Sequence, residues 1–113
     1  MGRFVKGNII WIDFPHSDSK KTKRRTAYVV SDHEIESNII VCAITGVKHT
    51  DDFLITLDSR NVIGRNLKKE SYIRPNVINT LDVETCNAQK FAALSRDKIR
   101  EVDEKLLTLF SIR

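Results

Sequence analysis

The sequence has few residues of the kinds that mark disulfide-rich, metal-binding or membrane-spanning proteins. Its two cysteines, Cys42 and Cys86, have no CxxC spacing, and its three histidines are scattered. We therefore expect buried or inert free thiols, no cofactor and no structural metal. No apolar run approaches the roughly 20 residues needed to span a bilayer, so we expect no contact with a membrane. Asn8 and Asp13 interrupt the apolar N-terminal run without a cleavage site, so we expect no signal peptide and a cytoplasmic location.

The positive charge of the chain is concentrated in one short segment. A length of 113 residues fits a single domain, and we expect residues 1–113 to form one domain around one core. Residues 16–25 contain one anion and five cations, which are Lys20, Lys21, Lys23, Arg24 and Arg25. The local net charge of +4 equals that of the whole chain. Such a cluster favours a polyanion or an acidic partner, although a solvated loop is compatible with the same composition.

Most of the chain has the short, β-branched segments that are typical of strands. Ile10, Ile12 and Phe14 alternate with period two and predict a strand from Asn8 that Pro15 ends. We predict a basic loop after it and a surface segment at 59–70. Further strands are predicted at 27–31, 38–45, 53–57 and 72–81. Pro75 indicates an edge or a bend in the last of these.

The C-terminal part has the period of a helix. Ser95 is a suitable N-cap, and apolar residues follow at steps of three and four, namely Ile99, Val102, Leu106, Leu109 and Phe110. This pattern predicts an amphipathic helix of about four turns that covers one end of the strands. Many short strands with one terminal helix predict a mainly β fold, a small and strongly bent antiparallel barrel.

Four motifs, in order along nearly the whole chain, resemble the PemK/MazF-like toxin family, the ribonuclease half of many bacterial toxin-antitoxin pairs. The first is KGNIIWIDFP, and the second is Ser17-Asp18 with Lys23 and Arg25 directly before an apolar strand. The third is Ala43-Ile44-Thr45 at the end of a strand. The fourth is the segment from Ser71 to Asp82, followed by Ala93-Leu94-Ser95.

The resemblance implies a fold, an activity and partners. The fold is an SH3-like antiparallel barrel of the PemK/MazF/CcdB type with a C-terminal helix, assembled as a homodimer. The activity is metal-independent endoribonuclease cleavage of single-stranded RNA, with Arg25 and Thr45 as catalytic residues. The implied second partner is an acidic, partly disordered antitoxin protein that lies across the basic loop. Chemistry supports the arginine independently, because a guanidinium offers planar, permanently charged donors that match phosphate oxygens.

Further residues are candidates for binding RNA. We expect Lys20, Lys21, Lys23 and Arg24 to contact phosphates without reading sequence. Asn76 is a candidate for contact with a base, since the family often places polar groups of this strand near the substrate. Trp11 and Tyr28 are able to stack on bases, but aromatic residues in apolar strands are more often core, and we predict core positions for both.

Two departures from the family pattern leave alternatives open. Thr26 follows Arg25 where the family usually has a proline, and the segment 19–25 contains no glycine where relatives often have one. One alternative is therefore a catalytically silent barrel that binds RNA, DNA or an acidic protein. A further alternative is a gyrase poison of the CcdB type, which the C-terminal sequence Leu109-Phe110-Ser111-Ile112-Arg113 disfavours because it lacks a tryptophan.

Overall fold

A computed structural model describes residues 3–15, 22–67 and 69–112 of the chain. Within these residues seven strands precede one helix. They are β1 (Asn8–Pro15), β2 (Thr22–Val29), β3 (Asn38–Thr45), β4 (Ile55–Leu57), β5 (Val62–Ile63), β6 (Ser71–Asp82), β7 (Gln89–Leu94) and α1 (Arg96–Phe110). No helix in this part of the chain is long and apolar enough to cross a membrane.

The seven strands form one antiparallel sheet that curves into a nearly closed barrel. Their order is β4-β6-β3-β2-β1-β7-β5, so the two shortest strands lie at the edges. The predicted fold, a mainly β antiparallel barrel with a C-terminal helix, is confirmed. Short edge strands leave few unpaired backbone groups on which another chain could pair.

Alternation along the strands divides the apolar side chains between two faces of the sheet. Directly paired Ile9, Tyr28 and Cys42 are fully buried on the face where Val102 of α1 packs, which we call the helix face. Their neighbours Ile10, Ala27 and Val29 belong to a second buried cluster on the other side, which we call the opposite face. Successive residues of β2 therefore lie alternately on the helix face and on the opposite face.

The structure differs from the predicted elements mainly around the basic segment. β2 begins at Thr22, so the cations Lys23, Arg24 and Arg25 lie within a strand and not in a loop. The cause is pairing with β1, which places Arg24 directly opposite Asp13, because a cross-strand pair of opposite charge stabilises a sheet. β4 is shorter than predicted, and the predicted surface segment contains the two-residue strand β5. The sequence analysis missed β7, because its sequence QKFAAL alternates only weakly between polar and apolar residues.

Pro75 bends β6, as predicted. The register between β3 and β6 pairs Cys42 with Ile78 and then Ala43 with Arg74, so residues 75–77 bulge out of the pairing. A proline has no N–H to donate to the neighbouring strand, which suits a bulge. The bulge changes which residues of β6 face the end of β3.

The helix has the predicted start and length. Ser95 is the N-cap residue with extended backbone angles, φ −64° and ψ 155°, but its side chain makes no capping hydrogen bond. Its backbone instead ties the helix to the barrel, because the Ser95 N–H donates to the carbonyl of Asn61 at 2.7 Å. The helix ends at Ser111, which has a left-handed backbone with φ 55°.

Candidate functional site

The two residues that the resemblance implies as catalytic lie where β2 and β3 separate. The strands pair antiparallel at Val29–Val41, Tyr28–Cys42 and Ala27–Ala43, and the pairing ends there. Continuing the same register by two residues places Arg25 opposite Thr45, on the face that Ala27 and Ala43 share. Arg25 and Thr45 therefore each lie two residues beyond the last pair of β2 and β3.

Arg25 is exposed, and its side chain is held by an aromatic ring. Its guanidinium carbon lies 6.0 Å from the ring centroid of Phe14, a distance compatible with a cation–π contact. Among the described residues, the Arg25 guanidinium has no ion pair and no hydrogen bond, so its donors stay available to a ligand. Arg25 lines a cavity of about 210 Å³ on the opposite face together with Ala43 and Asn79.

The hydroxyl of Thr45 is held by the backbone that follows it. The N–H of Val47 donates to Thr45 Oγ1 at 3.1 Å. This bond orients the hydroxyl oxygen as an acceptor and leaves its proton available for donation to an anion. Thr45 is half-buried and also pairs with Tyr72 of β6. Its position is therefore fixed from two sides, by its own turn and by a neighbouring strand.

Arg74 is a candidate that the sequence analysis missed. It pairs with Ala43 across β3 and β6, and so shares the face of Arg25 and Thr45. Its Nη2 lies 3.8 Å from Asp51 Oδ2, and its Nε is buried without a partner among the described residues. The available signal was a charged residue inside a predicted strand, directly before Pro75.

Arg24 has surroundings quite unlike those of Arg25. Its Nη1 donates to Asp13 Oδ1 at 2.8 Å and to the carbonyl of Asn87 at 3.2 Å. Its Nη2 donates to Gln89 Oε1 at 3.1 Å. These contacts join β2 to β1 and to the segment leading into β7. The guanidinium of Arg24 is therefore engaged within the protein.

The remaining predicted RNA-binding residues are dispersed. Lys23 is exposed and, since it lies two residues from Arg25 in β2, shares its face. Asn76 is exposed in the bulge of β6, whereas Asn79 of the same strand lines the Arg25 cavity. Lys20 and Lys21 lie outside the described residues. The described part of the chain thus brings Lys23 beside the Arg25 and Thr45 site.

The two aromatic residues predicted as core behave differently. Tyr28 is fully buried in the cluster on the helix face, which confirms its core position. Trp11 is only half-buried and belongs to neither buried cluster, so its prediction as core was wrong. Trp11 instead contacts Phe91 edge-on, with ring centroids 5.3 Å apart.

Both cysteines are free and buried, as predicted. Burial raises the pKa of the Cys42 thiol to about 12, and burial also raises the pKa of Cys86. A thiol that stays protonated at neutral pH is a poor nucleophile and a poor metal ligand. Residues 3–15, 22–67 and 69–112 contain no group of three His, Cys, Asp or Glu side chains arranged to hold a metal ion.

Solved structures with the same architecture come from bacterial toxins and their complexes. A chain of the MazE–MazF crystal structure, form III, from Deinococcus radiodurans has a TM-score of 0.80 and 21% identity, covering 96% of this chain and 97% of that chain. MazF alone from the same organism, form I, gives 0.73 and 21%, with 96% of each chain covered. An endoribonuclease in complex with its cognate antitoxin from a mycobacterial species gives 0.71 and 12%, again with 96% of each chain covered.

Sequence comparison identifies the family. No curated protein matches the sequence. The family model described as the PemK-like, MazF-like toxin of type II toxin-antitoxin systems matches residues 5–110, which confirms the resemblance of the four motifs. Because this match spans nearly the whole chain, the protein belongs to the PemK-like, MazF-like toxin family of type II toxin-antitoxin systems.

Proposed function

We propose that the protein is a metal-independent endoribonuclease that cleaves single-stranded RNA and so inhibits translation and growth. The observation that carries the proposal is that Arg25 and Thr45 each lie two residues beyond Ala27 and Ala43, the last pair between β2 and β3. The Arg25 donors have no partner among the described residues, so they are free to bind a phosphate. The similar mycobacterial fold is that of an endoribonuclease, which supports the same activity.

The chemistry assigns a role to each residue of the site. RNA cleavage without a metal begins when the 2′-hydroxyl loses its proton and attacks the adjacent phosphorus. The pentavalent intermediate gains negative charge, and the 5′-oxygen leaves with a proton, giving a 2′,3′-cyclic phosphate and a 5′-hydroxyl. Arg25 stabilises the charge on the equatorial oxygens with two parallel N–H donors. Thr45 orients the same phosphate through its hydroxyl.

Arg74 supports the site from β6, which lies on the other side of β3 from β2. Arg74 pairs with Ala43, which in turn pairs with Ala27, two residues from Arg25. We assign it a positioning role, since it adds positive charge beside the phosphate without being as exposed as Arg25.

The partners follow from charge and from the family. We propose an acidic antitoxin that lies across the cationic residues and competes with RNA. Two solved structures of similar fold are a MazE–MazF structure and an endoribonuclease in complex with its cognate antitoxin, which supports an antitoxin partner. We also propose a homodimer with a self-complementary two-fold interface, and light scattering at micromolar concentration tests it, since a purely monomeric protein contradicts it.

The experiment that tests the activity is cleavage of a mixed-sequence single-stranded RNA in EDTA. The native protein is compared with Arg25→Ala and Thr45→Ala, and the product ends are analysed. We expect cleavage that survives chelation and leaves a cyclic phosphate, with a loss of at least about 100-fold in Arg25→Ala, as for the removal of a charge-stabilising donor. A native protein that binds RNA without cutting it would instead establish the catalytically silent barrel.

A further inference from the structure

The loop between β3 and β4 contacts two residues of the proposed site. This loop, residues 46–54, directly follows Thr45. Its first part binds the hydroxyl of that threonine, since the N–H of Val47 donates to Thr45 Oγ1. Its later part reaches β6, where Asp51 Oδ2 lies 3.8 Å from Arg74 Nη2. A single loop therefore connects Thr45 with Arg74 and places a carboxylate beside the arginine.

The carboxylate of Asp51 is held in place by its own loop and by the helix. Asp51 Oδ1 accepts the N–H of Phe53 at 2.9 Å, in a local turn of the kind that aspartate and asparagine form. Lys105 of α1 holds the same segment, because its Nζ donates to the carbonyl of Asp52 at 2.6 Å and lies 5.7 Å from the ring centroid of Phe53. The segment is thus tied to α1, with Asp51 Oδ2 beside Arg74.

The contact between Asp51 and Arg74 neutralises charge without using hydrogen-bond donors. The separation of 3.8 Å is within the range of an ion pair but is longer than a hydrogen bond. The side chains of Arg74 and Asp51 are 26% and 35% exposed, so water screens the pair only in part. Among the described residues, Arg74 forms an ion pair with no other carboxylate. The guanidinium therefore retains its donors, while Asp51 cancels part of its positive charge.

We propose that Asp51 is a built-in competitor of RNA, a carboxylate that pairs with Arg74 in place of an RNA phosphate and so weakens RNA binding. The inference rests on the proposed function and adds a residue that attenuates it. Carboxylate and phosphate both pair with a guanidinium, so a phosphate that approaches Arg74 is repelled by Asp51 or displaces it. Removal of the Asp51 charge is therefore expected to strengthen RNA binding, whereas removal of a substrate-binding residue weakens it.

The chain offers a matched pair of variants, Asp51→Asn and Asp52→Asn. Asparagine keeps the side-chain carbonyl that accepts the Phe53 N–H, so Asp51→Asn removes the charge and preserves the turn. Asp52 carries the same charge in the next residue, is exposed and forms no ion pair with any described residue. Asp52→Asn therefore measures the effect of general charge in the loop.

Binding is measured by fluorescence anisotropy with a labelled, mixed-sequence RNA whose 2′-hydroxyls are methylated, so that it cannot be cleaved. We expect Asp51→Asn to bind about two- to fivefold more tightly than the native protein, the effect of one partly exposed charge pair. The slope of log affinity against log salt should become steeper by up to about 0.7, because one more cation is available to a phosphate. Asp52→Asn should change both quantities much less.

Arg74→Gln shows whether the effect of Asp51 acts through the arginine. In an Arg74→Gln background, the addition of Asp51→Asn should leave the RNA affinity and its salt slope unchanged. A gain of the same size in both backgrounds overturns the proposal. Weaker RNA binding by Asp51→Asn also overturns it, because Asp51 would then support the site instead of competing with RNA. If Arg74→Gln does not fold, the comparison of Asp51→Asn with Asp52→Asn still decides the question.

The outcomes distinguish this proposal from the proposed function. Tighter binding by Asp51→Asn in a protein that never cuts RNA supports the competitor and rejects the nuclease. Normal cleavage, with Asp51→Asn equal to the native protein in affinity and salt slope, overturns the competitor alone. An equal gain in Asp51→Asn and Asp52→Asn also overturns it, because the gain then belongs to general charge. No RNA binding by any of these proteins overturns both proposals.

Discussion

The neighbouring residues Arg24 and Arg25 should respond to mutation in opposite ways. They are adjacent in sequence and identical in chemistry, yet Arg24 is hydrogen-bonded to Asp13, Asn87 and Gln89, whereas Arg25 has no hydrogen bond or ion pair with any described residue. We expect Arg24→Ala to lower stability and to leave cleavage per folded molecule unchanged. We expect Arg25→Ala to abolish cleavage and to change the free energy of unfolding by less than about 0.5 kcal/mol, as for most surface substitutions.

The size of the Arg24 effect follows from its contacts. The ion pair with Asp13 has side chains that are 36% and 28% exposed, so it is partly shielded from water. It should contribute about 0.5–1 kcal/mol, and the bonds to Asn87 and Gln89 about 0.5–1 kcal/mol each. We therefore expect Arg24→Ala to cost about 2 kcal/mol. In a domain of this size that lowers the melting temperature by roughly 5–10 °C.

The assay combines thermal or urea unfolding with RNA cleavage measured well below the melting temperature. Arg24→Lys and Arg25→Lys are the charge-preserving controls, because lysine keeps the charge and loses the planar arrangement of donors. A double-mutant cycle of Arg24→Ala with Asp13→Ala isolates the ion pair, with an expected coupling of about 0.5–1 kcal/mol. The reasoning is refuted if Arg25→Ala is the more destabilised protein, or if Arg24→Ala is fully stable and inactive.

Three further predictions concern conformation, titration and RNA binding. Gly7 has φ +101°, and an added Cβ would lie 2.9 Å from Cδ1 of Ile99. Gly7→Ala should therefore lower the free energy of unfolding by about 1–3 kcal/mol, measured with urea. Ile99→Val removes Cδ1 and should relieve part of this cost, so strictly additive effects of the two substitutions would contradict the clash. Burial raises the pKa of Tyr28 and raises that of Cys42 from 9.0 to about 12. Both groups therefore stabilise the fold fully below about pH 9, and that stability is lost as pH rises toward 12. Urea unfolding from pH 8 to 11 measures this loss, which should be smaller in Tyr28→Phe, and a free energy of unfolding that does not change with pH would argue against it. Lys23→Ala should reduce the salt dependence of RNA binding, with a slope of log affinity against log salt smaller by about 0.7, and an unchanged slope would remove Lys23 from the RNA-binding surface.

Much of the architecture was predictable because strands and helices are specified by short-range periodicity. The alternation of Ile10, Ile12 and Phe14 predicted β1, and the three- and four-residue steps after Ser95 predicted α1. The basic segment was misassigned because its polar composition resembles a loop, whereas pairing with β1 makes it a strand. Local composition is a weak guide where a neighbouring strand supplies the hydrogen bonds.

The candidate site was only partly visible in the sequence. Arg25 and Thr45 were named through the resemblance, but nothing in their local sequence shows that they lie at the same level of two strands. Arg74 was missed because its position beside Ala43 depends on the bulge after Pro75, which shifts the register of β6. The partial exposure of Trp11 was missed because the pattern of a strand does not show which positions of a face are covered by other segments.

The sequence by itself determined the secondary structure of most segments, the concentration of positive charge in residues 16–25 and the family to which the protein belongs. Only the tertiary structure decided that Arg24 is hydrogen-bonded to Asp13, Asn87 and Gln89, while the Arg25 guanidinium has no such partner among the described residues. It also decided that the pairing of β2 with β3 ends at Ala27 and Ala43, two residues before Arg25 is reached on one strand and Thr45 on the other. The physical reason is that periodicity is encoded within a few residues, whereas register and strand separation depend on the packing of distant segments across the whole sheet.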